Sequence, residues 1–267
     1  MSEQIKVIVA GAGGRMGREV VKLVLGDEQL ELAAAIGRSD AGRDAGELVG
    51  MKNAGVALVP SLEEALTSVK ADVLVDFTTP EFAYEHARLA IQHGVRPVMG
   101  TTGYTPEQID ELDRLCKDAG IGGLIAPNFS IGVILMMRFA AQAAKHFPHL
   151  EIIETHGDHK LDAPSGTAVK TAEMVREVRE SFKQGNPNEK ETIAGSRGGE
   201  FDGFRIHSVR LPGVFAQQEV IFGAFGQSLK IRHDSYERAG YMPGVKIGVQ
   251  KVMEYTGMVY GFERFVD

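Results

Sequence analysis

A β-branched run, Ile5-Lys6-Val7-Ile8-Val9-Ala10, ends directly on Gly11-Ala12-Gly13-Gly14-Arg15-Met16-Gly17, and this junction restricts the fold more than any other stretch of the chain. Beyond it Val20, Val21, Val24 and Leu25 recur at helical spacing, so the segment predicts strand, tight turn and helix. A glycine after a strand permits the turn. The glycines that follow let backbone N–H groups approach an anion such as a pyrophosphate, and Gly17 lets the helix pack closely. The spacing departs from a strict G-x-G-x-x-G, because Met16 stands where the last glycine would be. Gly11, Ala12, Gly13, Gly14, Arg15 and Met16 are therefore the expected phosphate contacts of a dinucleotide, with a plain structural turn as the competing reading.

Leu30 to Ile36 reads as a second apolar strand, completing a βαβ unit. The alternation continues through strands at Gly55 to Val59, Val73 to Phe77, Pro97 to Met99 and Gly122 to Ala126. Helices at Ser61 to Leu66, Glu81 to His93 and Pro106 to Ala119 separate them. Continuous apolar strands alternating with helices predict an α/β fold, a Rossmann-like doubly wound parallel sheet whose ligands bind beyond the strands' carboxyl ends. From about residue 130 the rhythm changes. A helix from Ile131 to Phe147 precedes a strand at Glu151 to Thr155 and a helix from Pro164 to Phe182. Three strand-like runs follow, Phe204 to Leu211, Gln218 to Ala224 and Ser228 to His233, with hairpin-length connections containing Pro212-Gly213 and Gly226. This half predicts a second, α+β domain with a mostly antiparallel sheet. A last helix starts near Pro243 and ends near Gly257. The expected division is residues 1–130 for dinucleotide binding, with 241–267 packing back on them, and 131–240 for substrate binding and oligomerisation.

An acidic residue usually follows the second strand of such a fold and binds the adenosine ribose. Here the place reads Ile36-Gly37-Arg38-Ser39. Glycine followed by arginine suits the 2′-phosphate of NADP, so Arg38 is a candidate cofactor residue; otherwise it is a solvated surface arginine.

A formal net charge of −7 argues against nonspecific binding to nucleic acid or anionic membranes. The longest apolar stretch, Ile131 to Met137, stops at Arg138, well short of the roughly 20 residues a membrane helix needs. The start, Met1-Ser2-Glu3-Gln4, lacks the pattern of a signal peptide, and one cysteine, Cys116, allows no intrachain disulfide. The expectation is a cytoplasmic protein with small-molecule partners.

Thr155-His156-Gly157-Asp158-His159-Lys160-Leu161-Asp162-Ala163-Pro164-Ser165-Gly166-Thr167 gathers two histidines, a lysine and a Ser-Gly-Thr between a strand and a helix. Histidine exchanges protons near neutrality, lysine protonates or holds an anion, and Gly166-Thr167 at a helix start offers N–H groups to a carboxylate. A merely polar loop is the plainer alternative. Zinc is disfavoured: His156-x-x-His159 and His146-x-x-His149 have usable spacing but no neighbouring cysteine and no obvious third ligand. No tyrosine has a lysine four residues later, so the Tyr-x-x-x-Lys acid is absent, and Cys116 sits within a helix rather than at a reactive site. His156 and Lys160 remain as acids.

With these motifs the chain resembles the 4-hydroxy-tetrahydrodipicolinate (dihydrodipicolinate) reductases. The resemblance rests on Val9 to Gly17, Asp76-Phe77-Thr78, Gly100-Thr101-Thr102-Gly103, Ala126-Pro127-Asn128-Phe129-Ser130, His156 to Thr167 and His207 to Gly213. It implies hydride transfer from NADPH or NADH to a small cyclic dicarboxylate in lysine and diaminopimelate biosynthesis, by a homotetramer joined through the second domain's sheet. It also implies that His156 is the general acid/base, that Lys160 donates a proton, and that Gly166 and Thr167 hold a substrate carboxylate. Gly100, Thr101 and Thr102, with Ala126, Pro127, Asn128 and Phe129, would line the dinucleotide beside Gly11 to Met16. One departure stands out: family members commonly carry a second histidine after the general acid, and here that place is Gly157, so substrate binding there falls to Gly157 and His159. The alternatives are another two-domain reductase of a small carboxylate and a non-catalytic dinucleotide sensor.

Overall fold

Strand β1 (Ile5–Ala10) is apolar on both faces, and Val7, Ile8, Val9 and Ala10 have no solvent exposure. The computed structural model describes residues 3–266. After β1 the chain turns through the glycine loop into α1 (Arg15–Gly26), whose Val20, Val21 and Val24 form its buried stripe. It returns as β2 (Leu30–Ile36), parallel to β1. A 3-10 turn at Arg38–Asp40 and a short helix α2 (Ala45–Leu48) lead to β3, which is only Leu58–Val59. The expected strand from Gly55 is therefore mostly loop.

Next come α3 (Leu62–Ser68), β4 (Val73–Asp76), α4 (Pro80–Gln92), β5 (Arg96–Met99), α5 (Pro106–Asp118) and β6 (Gly122–Ile125). Local chemistry sets several of these starts. Ser61 accepts from the Glu64 N–H to cap α3, and Thr105 and Gln108 form a reciprocal capping box ahead of Pro106 in α5.

A segment near the C-terminus completes this sheet. After helix α8 (Met242–Lys251), strand β12 (Gly257–Tyr260) pairs with β6, giving the order β12-β6-β5-β4-β1-β2-β3, all parallel. The order reverses at β1, between β2 and β4, the place where such sheets open a crevice for ligands. The sequence pattern supplied α8 but not β12, which has four residues and no alternation.

The second unit, Ile131–Glu237, is contiguous, whereas the first runs to Ser130 and resumes at Arg238. Within the second, α6 (Ile131–Ala144) and α7 (Gly166–Arg176) cover one face of a sheet. Its strands are β7 (His149–His156), β8 (Gly199–Phe201), β9 (Phe204–Arg210), β10 (Ala216–Ala224) and β11 (Gln227–Ser235). The order is β11-β10-β7-β9-β8, with only the β7–β9 pair parallel. Ala140, Ala144, Ala168, Ala172 and Val175 pack from the helices onto Leu150, Ile152, Phe204, Ile206, Val220 and Phe222.

Two expectations change here. The segment around Pro212-Gly213 is not a hairpin turn, because β7 lies between β9 and β10; a β9–β10 hairpin would leave β7 and its buried Glu154 at a sheet edge. The helix expected to reach Phe182 stops at Arg176, since Arg179 turns inward and donates to the carbonyls of Pro148, Asp202 and Phe182 at 2.6, 3.0 and 3.0 Å.

Gly244 in α8 rests directly on the Phe129 carbonyl, where a Cβ would overlap it. Alanine ordinarily stabilises a helix interior by up to about 1 kcal/mol over glycine. Here overpacking wins, so Gly244→Ala should destabilise by about 1–3 kcal/mol and lower the melting temperature. Gly26→Ala, at the end of α1 with nothing within 4 Å of a new Cβ, should leave it unchanged or raised.

Candidate active site

The nucleotide end lies at the carboxyl ends of β1, β2 and β4. Gly11 has φ +76°, and the Phe77 carbonyl carbon lies 3.1 Å from where its Cβ would be. Gly17 seats α1 against the Gly11 carbonyl, leaving no space for a side chain. The Gly14 N–H donates to the Gly11 carbonyl at 2.9 Å, and Arg18 Nε braces the Gly13 carbonyl at 3.0 Å. Arg15 is exposed at the first position of α1, and Met16 is half-buried behind it. Ala12 is buried and ties the loop to β2 by donating to the Ile36 carbonyl at 2.9 Å.

Beside this loop is a cleft of about 680 Å³ lined by Gly11, Gly13, Gly14, Gly37, Arg38, Asp40, Thr78, Phe82 and His86 among others. Arg38 lies with its guanidinium 4.7 Å from the centre of the Phe82 ring. Asp76, fully buried at the end of β4, accepts from the Thr78 N–H and hydroxyl at 2.8 and 2.6 Å and meets His86 Nδ1 at 2.6 Å. A cradle of backbone N–H groups without side chains, opening on a cleft this size, fits a dinucleotide.

Gly100, Thr101 and Thr102 follow β5, and Thr101 donates to the Thr78 carbonyl at 3.2 Å. Ala126, Pro127, Asn128 and Phe129 follow β6. Asn128 Oδ1 accepts from the Ser130 N–H at 2.8 Å, and Phe129 is gripped by Phe77 and Phe262 with ring centres 5.7 and 5.6 Å away. The structure thus brings the three expected cofactor segments to the carboxyl ends of β1, β5 and β6 in one parallel sheet, with β4 between β1 and β5. Cys116 is fully buried, and burial, with Asp113 nearby, pushes its thiol up to about 12, which removes it as a nucleophile.

The acid end belongs to the second unit and is built on Glu154. This carboxylate, wholly buried in β7, receives both terminal nitrogens of Arg210 at 2.9 and 2.8 Å, the Ser165 N–H at 3.3 Å and His156 Nδ1 at 2.5 Å. Burial pushes the carboxyl upward, but the hydrogen bonds from Arg210, Ser208 and His156 outweigh it and hold it below the ordinary value. An ionised carboxylate only accepts, so Nδ1 of His156 carries the proton of this bond and Nε2 is left for other partners.

Lys160 Nζ donates to both oxygens of Asp162 at 2.7 and 2.9 Å, and the Asp162 carbonyl receives Arg210 at 2.7 Å. Gly157 is buried under His159, whose ring carbon Cε1 lies 2.6 Å from the place of a Gly157 Cβ. Ser165 caps α7 through the Ala168 N–H, and Gly166 and Thr167 form its first turn. His156, Gly157, His159, Lys160, Gly166 and Thr167 therefore surround the start of one helix and the end of one strand. Among the described residues no group of three or more His, Cys, Asp or Glu could hold a metal ion.

The family model "Dihydrodipicolinate reductase, N-terminus" matches residues 5–129, and "Dihydrodipicolinate reductase, C-terminus" matches 132–266. The chain belongs to the dihydrodipicolinate reductase family. A 4-hydroxy-tetrahydrodipicolinate reductase of Geobacillus kaustophilus is 53% identical over 98% of this chain and 99% of its own. One of Streptococcus suis is 55% identical with the same coverage. Among solved structures, a dipicolinate-bound dihydrodipicolinate reductase from Paenisporosarcina sp. TG-14 superposes with a TM-score of 0.87 at 47% identity, covering 98% of this chain and 99% of that one. An amine dehydrogenase from Mycobacterium smegmatis, with a TM-score of 0.69 at 16% identity, shares the fold.

Glu154, Arg210, Asp162 and the Asp76–His86 pair were not singled out individually by sequence reasoning. The available signal for Glu154 was its phase: it falls on the core face of β7 with Leu150 and Ile152, where an acid needs a partner.

Glu154→Gln keeps the shape and removes the charge, and should lower turnover by loosening His156. Because the folded-state pKa of Glu154 is depressed, its contribution to stability is present above about pH 4.5 and is lost as pH falls through the lower folded value. Urea midpoints measured from about pH 6 down to about pH 3 should fall less steeply in Glu154→Gln than in the parent protein.

Proposed function

We propose that this chain is a 4-hydroxy-tetrahydrodipicolinate reductase that converts its cyclic dicarboxylate substrate to tetrahydrodipicolinate with NADPH or NADH, in diaminopimelate and lysine biosynthesis. The observation that carries the reading is 53–55% identity with reductases of that name along essentially the whole chain. The His156 ring held by the buried Glu154, with Lys160 in the loop that follows, supports it chemically.

The reaction adds a hydride and a proton and releases water. When bound, the reduced nicotinamide supplies the hydride. The loop from Gly11 to Met16 cradles the pyrophosphate, with the N–H groups of Gly13, Arg15 and Met16, which the loop's own bonds leave over, as donors and Arg15 exposed as a counter-charge. Gly100, Thr101, Thr102 and Ala126 to Phe129 line the rest of the dinucleotide. His156 acts as general acid/base through Nε2 while Glu154 fixes its ring, and Lys160 is the proton donor, oriented by Asp162. N–H groups of Gly166 and Thr167 at the start of α7 take a substrate carboxylate. The His159 ring and the Gly157 backbone complete the contacts in place of a histidine at 157.

The first unit thus serves the cofactor and the second the substrate and assembly. Assembly as a homotetramer is supported by the sheet face turned away from α6 and α7, which carries partly exposed Ile153, Val209 and Ile221. No helix among the described residues is long and apolar enough to cross a membrane, and a cytoplasmic location suits a biosynthetic enzyme whose single cysteine is buried.

The test supplies the condensation product of pyruvate and aspartate semialdehyde and follows NAD(P)H absorbance. The parent protein should turn over, and His156→Gln should lose about 10²–10⁴-fold in kcat. Lys160→Ala should also lose kcat, and an unimpaired variant would remove Lys160 from the mechanism. A folded parent protein that oxidises no cofactor overturns the proposal. Arg38 reads the 2′-phosphate, so Arg38→Ala should cut the ratio of kcat/KM for NADPH to that for NADH by about 10–100-fold. An unchanged ratio would return Arg38 to the solvated surface.

A further inference from the structure

Two buried polar residues of the second unit lie outside the acid network. Gln218 on β10 stands directly opposite Glu154 of β7, on the same inner face, and is 5% exposed. Thr171, in the second turn of α7, has no exposure. Their surroundings are apolar: Ala168, Ala172 and Val175 of α7 belong to one core with Val220 and Phe222 of β10. Gln218 Nε2 donates to Thr171 Oγ1 at 2.7 Å, and the Thr171 hydroxyl donates on to the Thr167 carbonyl at 2.8 Å. The order of donors is fixed, because a hydroxyl whose proton goes to a carbonyl can only accept from the amide. Gln218 Oε1 is buried with no hydrogen-bond partner. An unpaired amide oxygen in a core costs stability, so packing alone does not account for a glutamine here.

The bonds lead to the first turn of α7. Ser165 is held there by Glu154, which accepts its N–H at 3.3 Å, and Thr167 is held through Thr171 by Gln218. Gly166, between these two anchors, is exposed, with nothing within 4 Å of the place of a Cβ. We propose that Gln218 and Thr171 are positioning residues for the substrate: they set the tilt of this turn so that the Gly166 and Thr167 N–H groups meet the substrate carboxylate. The inference rests on the carboxylate role of those two residues proposed above. A threonine hydroxyl bonded to the carbonyl four residues back bends a helix locally, and donation from the Gln218 amide polarises the hydroxyl and strengthens that bond. The backbone cradle is thereby aimed from the core, by groups that never touch the ligand.

Steady-state kinetics of the purified protein, with the condensation product of pyruvate and aspartate semialdehyde varied, tests this beside thermal melts. Gln218→Met keeps the bulk and removes the unpaired oxygen, so the melting temperature should stay the same or rise. The substrate KM should nevertheless rise by about 3–10-fold, with kcat and the cofactor KM within about twofold of the parent values. Combining Gln218→Met with Thr171→Val makes the contact wholly apolar and should raise the substrate KM by about tenfold or more without loss of stability. Thr171→Ser keeps the hydroxyl and should keep the parent KM. An unchanged substrate KM in the double variant would overturn the positioning role. So would a substrate KM that rises only together with a fall in kcat and a rise in the cofactor KM. A folded parent protein that turns over no substrate overturns the function proposed above, and this inference with it.

Discussion

Glu154 stands in the middle strand of its sheet with no access to water, and a carboxylate there remains charged only if hydrogen-bond donors surround it. Those donors come from the neighbouring strand through Arg210, from its own strand through His156, and from the start of α7 through the Ser165 N–H. Satisfying one buried charge therefore fixes the register of β9 on β7, the orientation of the proposed acid and the position of the helix start proposed to receive the substrate. Arg210 extends the same network to the loop holding Lys160, because its second contact is the Asp162 carbonyl. Loop residues that would otherwise be mobile are thus organised from beneath by the sheet.

The nucleotide half is ordered by a different means. Its determinants are places where a side chain is missing: α1 approaches the loop because Gly17 has no Cβ, and Asp40 reaches over Gly13 for the same reason. Donors aimed into space left by glycines suit a polyanion, whereas the charged network around Glu154 suits proton exchange.

The alternation of apolar strands and helices was legible because burial on both faces leaves a continuous hydrophobic signature, as in β1 and β4. The glycine loop and the run from His156 to Thr167 were legible because unusual residues are concentrated in sequence. Short edge strands such as β3 and β12 have too few residues to show a period. Strand order escaped too: nothing local in Phe204 to Ala224 reveals that β7 separates β9 from β10, an order that sets Arg210 beside the buried Glu154. Arg210 was hidden for the same reason: it lies 56 residues from its partner Glu154.

The parallel sheet is finished by a strand made only after the whole second unit. Until Met242–Lys251 emerges nothing meets the Phe129 carbonyl, and until Gly257–Tyr260 follows, β6 is an open edge. The unit from Ile131 to Glu237 is continuous and synthesised in full before that moment. Folding during synthesis thus inverts chain order: the unit that begins second is the first able to close its core, and the unit that begins first waits for its own later segment from Arg238 onward.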